Sequence, residues 1–217
     1  YYASPELTTM PKNIPIVVLI NGGSASASEI LAGALKDTRT AYLVGNNTYG
    51  KGSVQEPRGL PYEDGMKITI AKYYTPSGAN IDKIGIPPDE EVNLPGVSQE
   101  QQQIYVDLMN SNKIYDFANS KENITEAEIS AFAEELYKDY PLEKTVLRRL
   151  IRIYSITGEI FYDLDYDTQL QRAIEIANSK DFYNLLENTK TLLEIEEEKA
   201  LEEAAKEVTD EAEKSEN

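Results

Sequence analysis

The 217-residue chain contains no cysteine and no histidine, and these two absences exclude several kinds of active site. Without cysteine there is no thiol catalysis, no cysteine-ligated zinc and no disulfide. Without histidine there is no Ser-His-Asp triad, no HExxH zinc site and no imidazole base. Acid–base chemistry in this chain must therefore come from lysine, aspartate, glutamate or tyrosine.

The chain also lacks a long apolar run and an excess of positive charge. No segment approaches the ~18 consecutive apolar residues of a membrane-spanning helix, and no signal peptide is present. The chain begins with Tyr1 rather than methionine, which indicates a piece of a longer protein. Its 21 Lys and Arg against 38 Asp and Glu give a formal charge of -17, which argues against nucleic acid as the main partner. Because 41% of the residues are hydrophobic, the chain can form a core and wholesale disorder is excluded.

Charge and turn signals divide the chain. Residues 1–97 hold 8 basic and 10 acidic residues, a balance of -2, whereas residues 98–217 hold 13 and 28, a balance of -15. The change falls near the turn signal Leu94-Pro95-Gly96. The last 26 residues hold 11 acidic and 3 basic residues, which is typical of a solvated helix or a disordered tail. The predicted parts are residues 1–97, residues 98–190 and residues 191–217.

The first part has the pattern of an α/β fold. Ile14–Ile20 is a short, β-branched, apolar run, typical of a strand covered on both faces. Further strands are predicted at Ala41–Val44 and Met66–Tyr74, the latter because apolar and polar residues alternate. Ser24–Lys36 has helical spacing, with one apolar side made of Ile30, Leu31, Ala34 and Leu35.

The second part has the pattern of an all-α region. Two segments match capping boxes: Ser98–Gln101, before a helix to about Asn110, and Thr125–Glu128, before a strong apolar stripe. Pro141 is predicted to end the helix that carries this stripe. The other predicted helices are Thr145–Ile156 with Gly158 as the stop, one capped by Asp167, and one that Asp181 opens and that fades into the acidic tail.

The segment most informative about chemistry is Asn21–Glu29, where small residues join the first strand to the first helix. A sharp turn from strand to helix is the setting of a nucleophile elbow, which lifts a serine hydroxyl above the sheet edge. The free N–H groups at the start of the helix can stabilise an oxyanion. The alternative is a serine-rich helix cap with packing glycines, since capping serines are common.

A serine nucleophile needs a base, and in the absence of histidine a lysine whose pKa is lowered by burial can serve. The candidate is Lys51, which stands between two glycines just after the second strand. The alternative is a plain loop. A phosphate-binding loop is rejected, because Gly52 occupies the Ser/Thr position of GxxxxGK[ST] and Glu56–Gly59 breaks the chain where a helix would begin.

Three collinear segments resemble the active-site region of the carboxyl-terminal processing (tail-specific) serine peptidases. The resemblance covers about residues 12–92. A weaker similarity to the family occurs at Asp167–Ala173, which implies that part of the peptidase core lies near residues 160–178. The matching segments are Asn21–Ile30, Gly50–Gln55 and Asp64–Gly78, the last followed by Gly85–Asp89.

The resemblance implies roles for four residues. Ser26 corresponds to the family nucleophile, and Lys51 to its general-base lysine. Gln55 corresponds to the glutamine that assists the lysine, although from its pattern alone it would be a polar residue on a strand surface. The backbone N–H of Ala27 corresponds to an oxyanion donor. The neighbouring residues expected to be structural are Ser24, Ser28 and Glu29.

The family also implies a fold and an activity. The expected fold is α/β, with the mixed-sheet core of the tail-specific proteases (crotonase/ClpP-like), followed by an all-α C-terminal region. The expected activity is that of a serine endopeptidase, which cleaves near the C-terminus of extracytoplasmic or unfolded proteins through an acyl-enzyme, without cofactor or metal. A periplasmic or otherwise extracytoplasmic location is implied by the family only.

Two family elements are missing from these 217 residues. They are a PDZ domain upstream of the catalytic region and a strand ending in Asp-Leu-Arg-x-Asn-x-Gly-Gly, which supplies a second oxyanion donor. The chain alone is therefore expected to be impaired. Expected partners are polypeptide substrates bound as an added strand, the upstream PDZ domain and, in a homo-oligomer, further copies of the chain.

Two alternatives of other classes remain open at this point. One is a catalytically weak or inactive peptide-binding scaffold of the same fold, against which the presence of Ser26, Lys51 and Gln55 argues. The other is an assembly module in which the acidic helices from residue 98 onward are the active part. Those helices are otherwise a peripheral subdomain or a scaffold that packs on the protease or builds a dimer.

Overall fold

The computed structural model describes residue 11, residues 13–156 and residues 162–215, and it contains helices and small sheets. The predicted α/β class is confirmed. The strands are β1 (Val17–Ile20), β2 (Tyr42–Gly45), β3 (Ser53–Gly59), β4 (Gly65–Lys72) and β5 (Glu90–Glu91). The helices are α1 (Ala27–Asp37), α2 (Gln102–Asn110), α3 (Lys113–Ala118), α4 (Glu126–Asp139), α5 (Lys144–Ser155), α6 (Thr168–Ala177), α7 (Phe182–Glu187) and α8 (Leu192–Ser215).

The chain divides into two compact units. The first unit comprises the described residues up to Val92 together with those from Arg172 onward, and the second unit is Asn93–Gln171. Among the described residues, no helix combines the length and the apolar character that crossing a membrane requires.

The first unit contains a three-stranded parallel sheet in the order β1-β2-β5. Helix α1 connects β1 to β2, because parallel neighbours need a crossover between them. The central strand β2 is buried along its length, whereas β1 is an outer strand with Leu19 exposed. The prediction that Ile14–Ile20 is a strand covered on both faces is therefore wrong for the described residues: the strand is shorter and lies at the sheet edge.

Helix α1 buries a different face from the one its apolar residues predict. Ile30 and Leu31 are exposed. The buried side chains include Glu29 and Lys36, and each has a polar partner inside the unit. Lys36 Nζ lies 2.5 Å from Asp89 Oδ1, while Asp89 Oδ2 accepts the N–H of Leu43 at 2.8 Å. Buried charges are tolerated where they are paired in this way, which is why polar residues define the inner face of α1.

The antiparallel pair β3–β4 is a second sheet of the first unit. Glu56–Gly59, where the sequence predicted that no helix could begin, completes β3. Pro57 is tolerated because each strand of a two-stranded sheet is an edge, where one N–H is not needed. Strand β4 leaves Met66, Ile68 and Ile70 exposed on one face.

The second unit has a continuous apolar core contributed by its helices and by the segment between α4 and α5. The Thr125–Glu128 capping box is confirmed, and the helix that it begins ends at Asp139, before Pro141. Ser98 and Gln101 exchange the two hydrogen bonds of the predicted capping box, at 3.3 and 3.4 Å, but α2 starts four residues after Ser98, at Gln102. Gly158, the predicted stop of α5, lies outside the described residues. The buried core residues are Leu108, Ile114, Ile129, Ala133, Leu136, Leu142, Leu147 and Ile151.

The last predicted helix is two helices. Asp181 precedes α7, which ends at Glu187, and α8 begins at Leu192 with its first side chain buried in the core of the first unit. Asp37, at the end of α1, accepts the N–H groups of Leu192 at 2.8 Å and of Ser77 at 2.9 Å. Burial raises the pKa of Asp37, but these hydrogen bonds outweigh it and hold the pKa below its ordinary value. The start of α8 is thereby fixed to α1.

Candidate active site

The turn between β1 and α1 holds Ser26 in a conformation that is rare for a residue with a side chain. Asn21 Oδ1 accepts the N–H of Gly23 at 2.8 Å, and the Asn21 carbonyl accepts the N–H of Ser24 at 2.8 Å. Ser26 then has φ 57° and ψ -114° as the N-cap of α1. Backbone strain of this kind costs on the order of 1–3 kcal/mol and persists where surrounding contacts impose it. The geometry agrees with the predicted sharp strand-to-helix turn.

Ala27 is the first residue of α1 and is exposed. The first N–H groups of a helix have no acceptor within the helix, and they carry the positive end of its dipole. The Ala27 N–H therefore has the electrostatic character that an oxyanion donor needs.

The loop that carries Lys51 is fixed by close backbone contacts on both sides of the lysine. Gly50 has φ +87°, and its carbonyl accepts the N–H of Lys83 at 2.7 Å. At Gly52 a Cβ atom would lie 2.5 Å from the backbone nitrogen of Asp82, so no larger residue fits. Glycine on both sides of Lys51 thus has a physical reason: the loop lies directly on the 82–85 segment.

Glu29 connects the serine turn to the lysine loop. Its carboxylate is fully buried, and its Oε2 accepts the N–H of Ser26 at 2.9 Å and the N–H of Lys51 at 2.8 Å. Its Oε1 accepts the hydroxyl of Thr48 at 2.6 Å and the N–H of Gly50 at 2.6 Å. One side chain therefore joins the backbones of the two residues predicted to be nucleophile and base.

Thr48 strengthens the same connection. While it donates to Glu29, its hydroxyl accepts the N–H of Ile86 at 2.7 Å, and its own N–H reaches the Ile86 carbonyl at 3.1 Å. The next residue, Tyr49, donates its N–H to the Ser24 carbonyl at 3.0 Å. The lysine loop is thus held by the serine turn on one side and by the segment before Pro87 on the other.

A cleft of about 480 Å³ opens beside these segments. The side chain of Lys51 is exposed, and the Gln55 amide donates to Thr69 Oγ1 at 3.5 Å. Asp82 lies in the cleft with its carboxylate 3.4 Å from Lys72 Nζ. The cleft thus contains the predicted base and its predicted assistant. The lining residues are Ala25, Tyr49, Gly50, Lys51, Ser53, Gln55 and Asp82.

The first 92 residues match a known family over the region that contains both the serine turn and the lysine loop. Residues 1–92 match peptidase family S41. The resemblance to carboxyl-terminal processing peptidases stated from the sequence is confirmed over this part of the chain.

The relatives in family S41 carry the names of processing proteases. The chain is 57% identical over 81 residues to a carboxy-terminal-processing protease of Bartonella bacilliformis, covering 37% of this chain and 19% of that protein. It is 54% identical over 84 residues to a carboxyl-terminal-processing protease of Synechocystis, covering 39% and 20%. The chain thus spans about a fifth of the length of these relatives. A solved photosystem II D1 C-terminal processing protease is 48% identical, covering 37% of this chain and 22% of that one, with a TM-score of 0.35.

The sequence analysis did not predict the contacts of one residue of this site, Glu29. Glu29 was expected to be structural through the helix dipole alone, whereas it binds four donors on two segments. The spacing of Ser26 and Glu29 is that of a capping box, a signal that could have predicted the bond back to the Ser26 N–H. No local pattern indicates the bonds to Thr48, Gly50 and Lys51, because these residues follow about 20 positions later.

Proposed function

We propose that the chain carries the catalytic segments of a serine endopeptidase, with Ser26 as nucleophile and Lys51 as general base. The observation that carries the proposal is the Glu29 carboxylate, whose Oε2 accepts the N–H groups of both residues. A fixed spacing between nucleophile and base is what covalent catalysis requires. The match to peptidase family S41 and the names of the relatives support the same reaction class.

The proposed reaction proceeds in two halves. The neutral Lys51 amine takes the proton from Ser26 Oγ, which forms a bond to the carbonyl carbon of a peptide. The resulting oxyanion accepts the Ala27 N–H. When the C–N bond breaks, the amine leaves with the proton from Lys51. A water then gives a proton to Lys51 and attacks the acyl-enzyme, and Ser26 recovers its proton as the acid product leaves.

Gln55 suits the proposed role of assistant because it is neutral. Its amide can orient the lysine amine without holding it protonated, as a carboxylate would. In the described chain the amide donates to Thr69, so the proposed contact requires the side chain to turn toward Lys51. The finer fold description, a crotonase/ClpP-like core, belongs to the same proposal.

The proposed substrates are unfolded or extracytoplasmic polypeptides cleaved near their C-termini, bound as an added strand. Main-chain hydrogen bonds would then provide affinity and pockets would select side chains. The Lys51 side chain is exposed to water, whereas an efficient active site excludes water around its reacting groups. We therefore expect the 217-residue chain to turn over slowly.

The test is digestion of casein by the chain from pH 6 to pH 10, with mass spectrometry of the products. Ser26→Ala and Lys51→Ala should each lower the rate by about a thousandfold or more. Matched controls are Ser28→Ala, two residues from the nucleophile, and Lys67→Ala on β4, both expected to retain activity. Cleavage that persists in Ser26→Ala contradicts the proposal.

A further inference from the structure

A groove of about 360 Å³ in the second unit is lined by residues of α3 and α4. The rings of Phe117 and Phe132 stack there, with their centroids 4.1 Å apart and their planes 8° apart. Both residues are only partly buried, so the core of the unit leaves some of their apolar surface uncovered. The lining residues are Lys113, Asp116, Phe117, Phe132, Glu135, Leu136 and Asp139.

Three carboxylates line this groove, and one of them is neutralised by a lysine. Lys113 Nζ donates to Asp139 at 2.8 Å and lies 5.0 Å from the centroid of the Tyr140 ring. Within the part of the chain that the structure describes, the carboxylates of Asp116 and Glu135 have no hydrogen-bond or ion-pair partner. Three carboxylates and one ammonium leave the groove with a formal charge of -2.

Helix α4 places two like charges on the face that lines the groove. Glu135 and Asp139 are four positions apart, so their carboxylates are neighbours on this face. Like charges at this spacing destabilise a helix. Lys113 relieves the repulsion by binding Asp139, and a second cation bound at Glu135 would relieve the remainder. The groove is therefore electrostatically suited to a cationic ligand.

Aromatic surface beside free carboxylates suits a guanidinium group in particular. A guanidinium is planar and stacks on aromatic rings, and it can donate two parallel N–H bonds to one carboxylate. A lysine ammonium is a strongly hydrated point charge and makes neither contact as well. The apolar residues of the groove also offer a surface to an apolar residue next to the arginine in sequence.

Charge also decides between the possible occupants. The whole chain has a formal charge of -17, and its last 26 residues hold 11 acidic residues against 3 basic ones. A second copy of the chain, or its own tail, would bring more negative charge to a groove that is already negative. We propose that the groove between α3 and α4 docks a basic, arginine-containing segment of a different protein. This inference concerns the second unit alone and does not depend on the proposed peptidase function.

The experiment titrates fluorescein-labelled peptides with the 217-residue chain and measures fluorescence anisotropy. The salt concentration is about 0.15 M, where long-range attraction between charges is screened. The probes are Gly-Ser peptides that carry Arg-Leu-Arg, Lys-Leu-Lys or Glu-Leu-Glu. The arginine peptide should bind about threefold more tightly than the lysine peptide, and the glutamate peptide should not bind. Asp116→Asn together with Glu135→Gln should weaken binding of the arginine peptide about tenfold.

The matched control is Glu100→Gln together with Glu122→Gln. These substitutions remove the same charge from exposed positions of the second unit outside the groove. The control should keep the affinity for the arginine peptide within about twofold, because distant charges are screened. Phe117→Leu together with Phe132→Leu keeps apolar side chains but removes both rings, and should abolish the preference for arginine over lysine. Circular dichroism verifies that each variant is folded.

Three peptide results would overturn the inference. Equal weakening in the control pair would assign the binding to the overall charge of the chain. Unchanged affinity in the variant with Asp116→Asn and Glu135→Gln, or no binding of the arginine peptide, would remove the groove as a docking site. Sedimentation of the chain alone tests the remaining occupant: a dimer that dissociates in the same variant would place a second copy in the groove and reject the proposed partner.

Discussion

A hydroxyl residue followed three positions later by glutamate begins helices in both units, and the glutamates of α1 and α4 differ in what they bind. Glu29 and Glu128 each accept the N–H of their own N-cap residue at 2.9 Å. Glu128 is 43% exposed. Its side-chain partners in the described chain are the N-cap residue Thr125 and Lys121, which lies just before that cap. Glu29 is fully buried and binds Thr48, Gly50 and Lys51 as well.

The comparison teaches that a local motif fixes the start of a helix and not its role in the fold. In the second unit, the capping box directs an apolar stripe into the core, with Ile129 fully buried behind Glu128. In the first unit, the same spacing directs the carboxylate inward, and Ile30 is exposed behind Glu29. What differs is the presence of unpaired backbone donors about 20 residues away, which only a buried acceptor can satisfy.

The largest expected effect comes from removing the buried glutamate. Glu29→Ala leaves the buried N–H of Gly50 and the partly buried N–H groups of Ser26 and Lys51 without their acceptor. Each donor left unsatisfied costs about 1–3 kcal/mol, so we expect the first unit to lose at least about 3 kcal/mol of unfolding free energy. Hydrogen–deuterium exchange followed by mass spectrometry should show faster exchange at residues 24–30 and 48–52, with the second unit unchanged.

Glu194→Ala is the matched control for this change. Glu194 also accepts a backbone N–H at the start of its helix, that of Thr191 at 2.6 Å, but its side chain is 49% exposed. Water can replace an exposed acceptor, so exchange in the first unit should stay close to that of the unsubstituted chain. Equal effects of the two substitutions would contradict the assigned role of Glu29.

The next largest expected effect is a difference in unfolding free energy between alanine substitutions of the isoleucines that follow the two glutamates. Ile129→Ala removes a fully buried side chain from the second unit and should cost about 2–5 kcal/mol. Ile30→Ala removes a side chain that is 42% exposed and should change the unfolding free energy by less than about 1 kcal/mol. Urea unfolding of both variants, followed by circular dichroism, measures the difference. A cost at Ile30 as large as that at Ile129 would mean that another copy of the chain covers this face of α1 in solution.

Sequence patterns correctly predicted the elements whose buried residues follow from the element's own residue pattern. The stripe of α4 and its capping residue Thr125 were correct because helix periodicity and cap chemistry are local. Strand β2 was placed within one residue because a buried parallel strand is a short apolar run. The segments that carry Ser26 and Lys51 were recognised by their small residues and by family resemblance.

The elements that the sequence missed depend on contacts outside them. Strand β3 has no alternation of apolar and polar residues, so its pairing with β4 defines it. Helix α3 has only six residues and follows Asn112 in a left-handed conformation, so no periodic stripe can develop. The inner face of α1 is set by Glu29 and Lys36, whose partners lie far along the chain.

The smallest expected effect is the pH dependence of the exposed capping box. Hydrogen bonds from the Lys121 ammonium and from Thr125 lower the pKa of Glu128 from 4.5 to about 2. A carboxylate with a lowered folded-state pKa contributes stability above its unfolded pKa and loses it as the pH falls through the folded one. As the pH falls from 4.5 to about 2, the urea concentration that half-unfolds the second unit should therefore decrease less in Glu128→Gln than in the unsubstituted chain. The control is Glu134→Gln on the same helix, which removes an exposed carboxylate that contacts Lys144 and takes no part in the helix cap. Identical acid dependence of Glu128→Gln and the unsubstituted chain would reject this contribution.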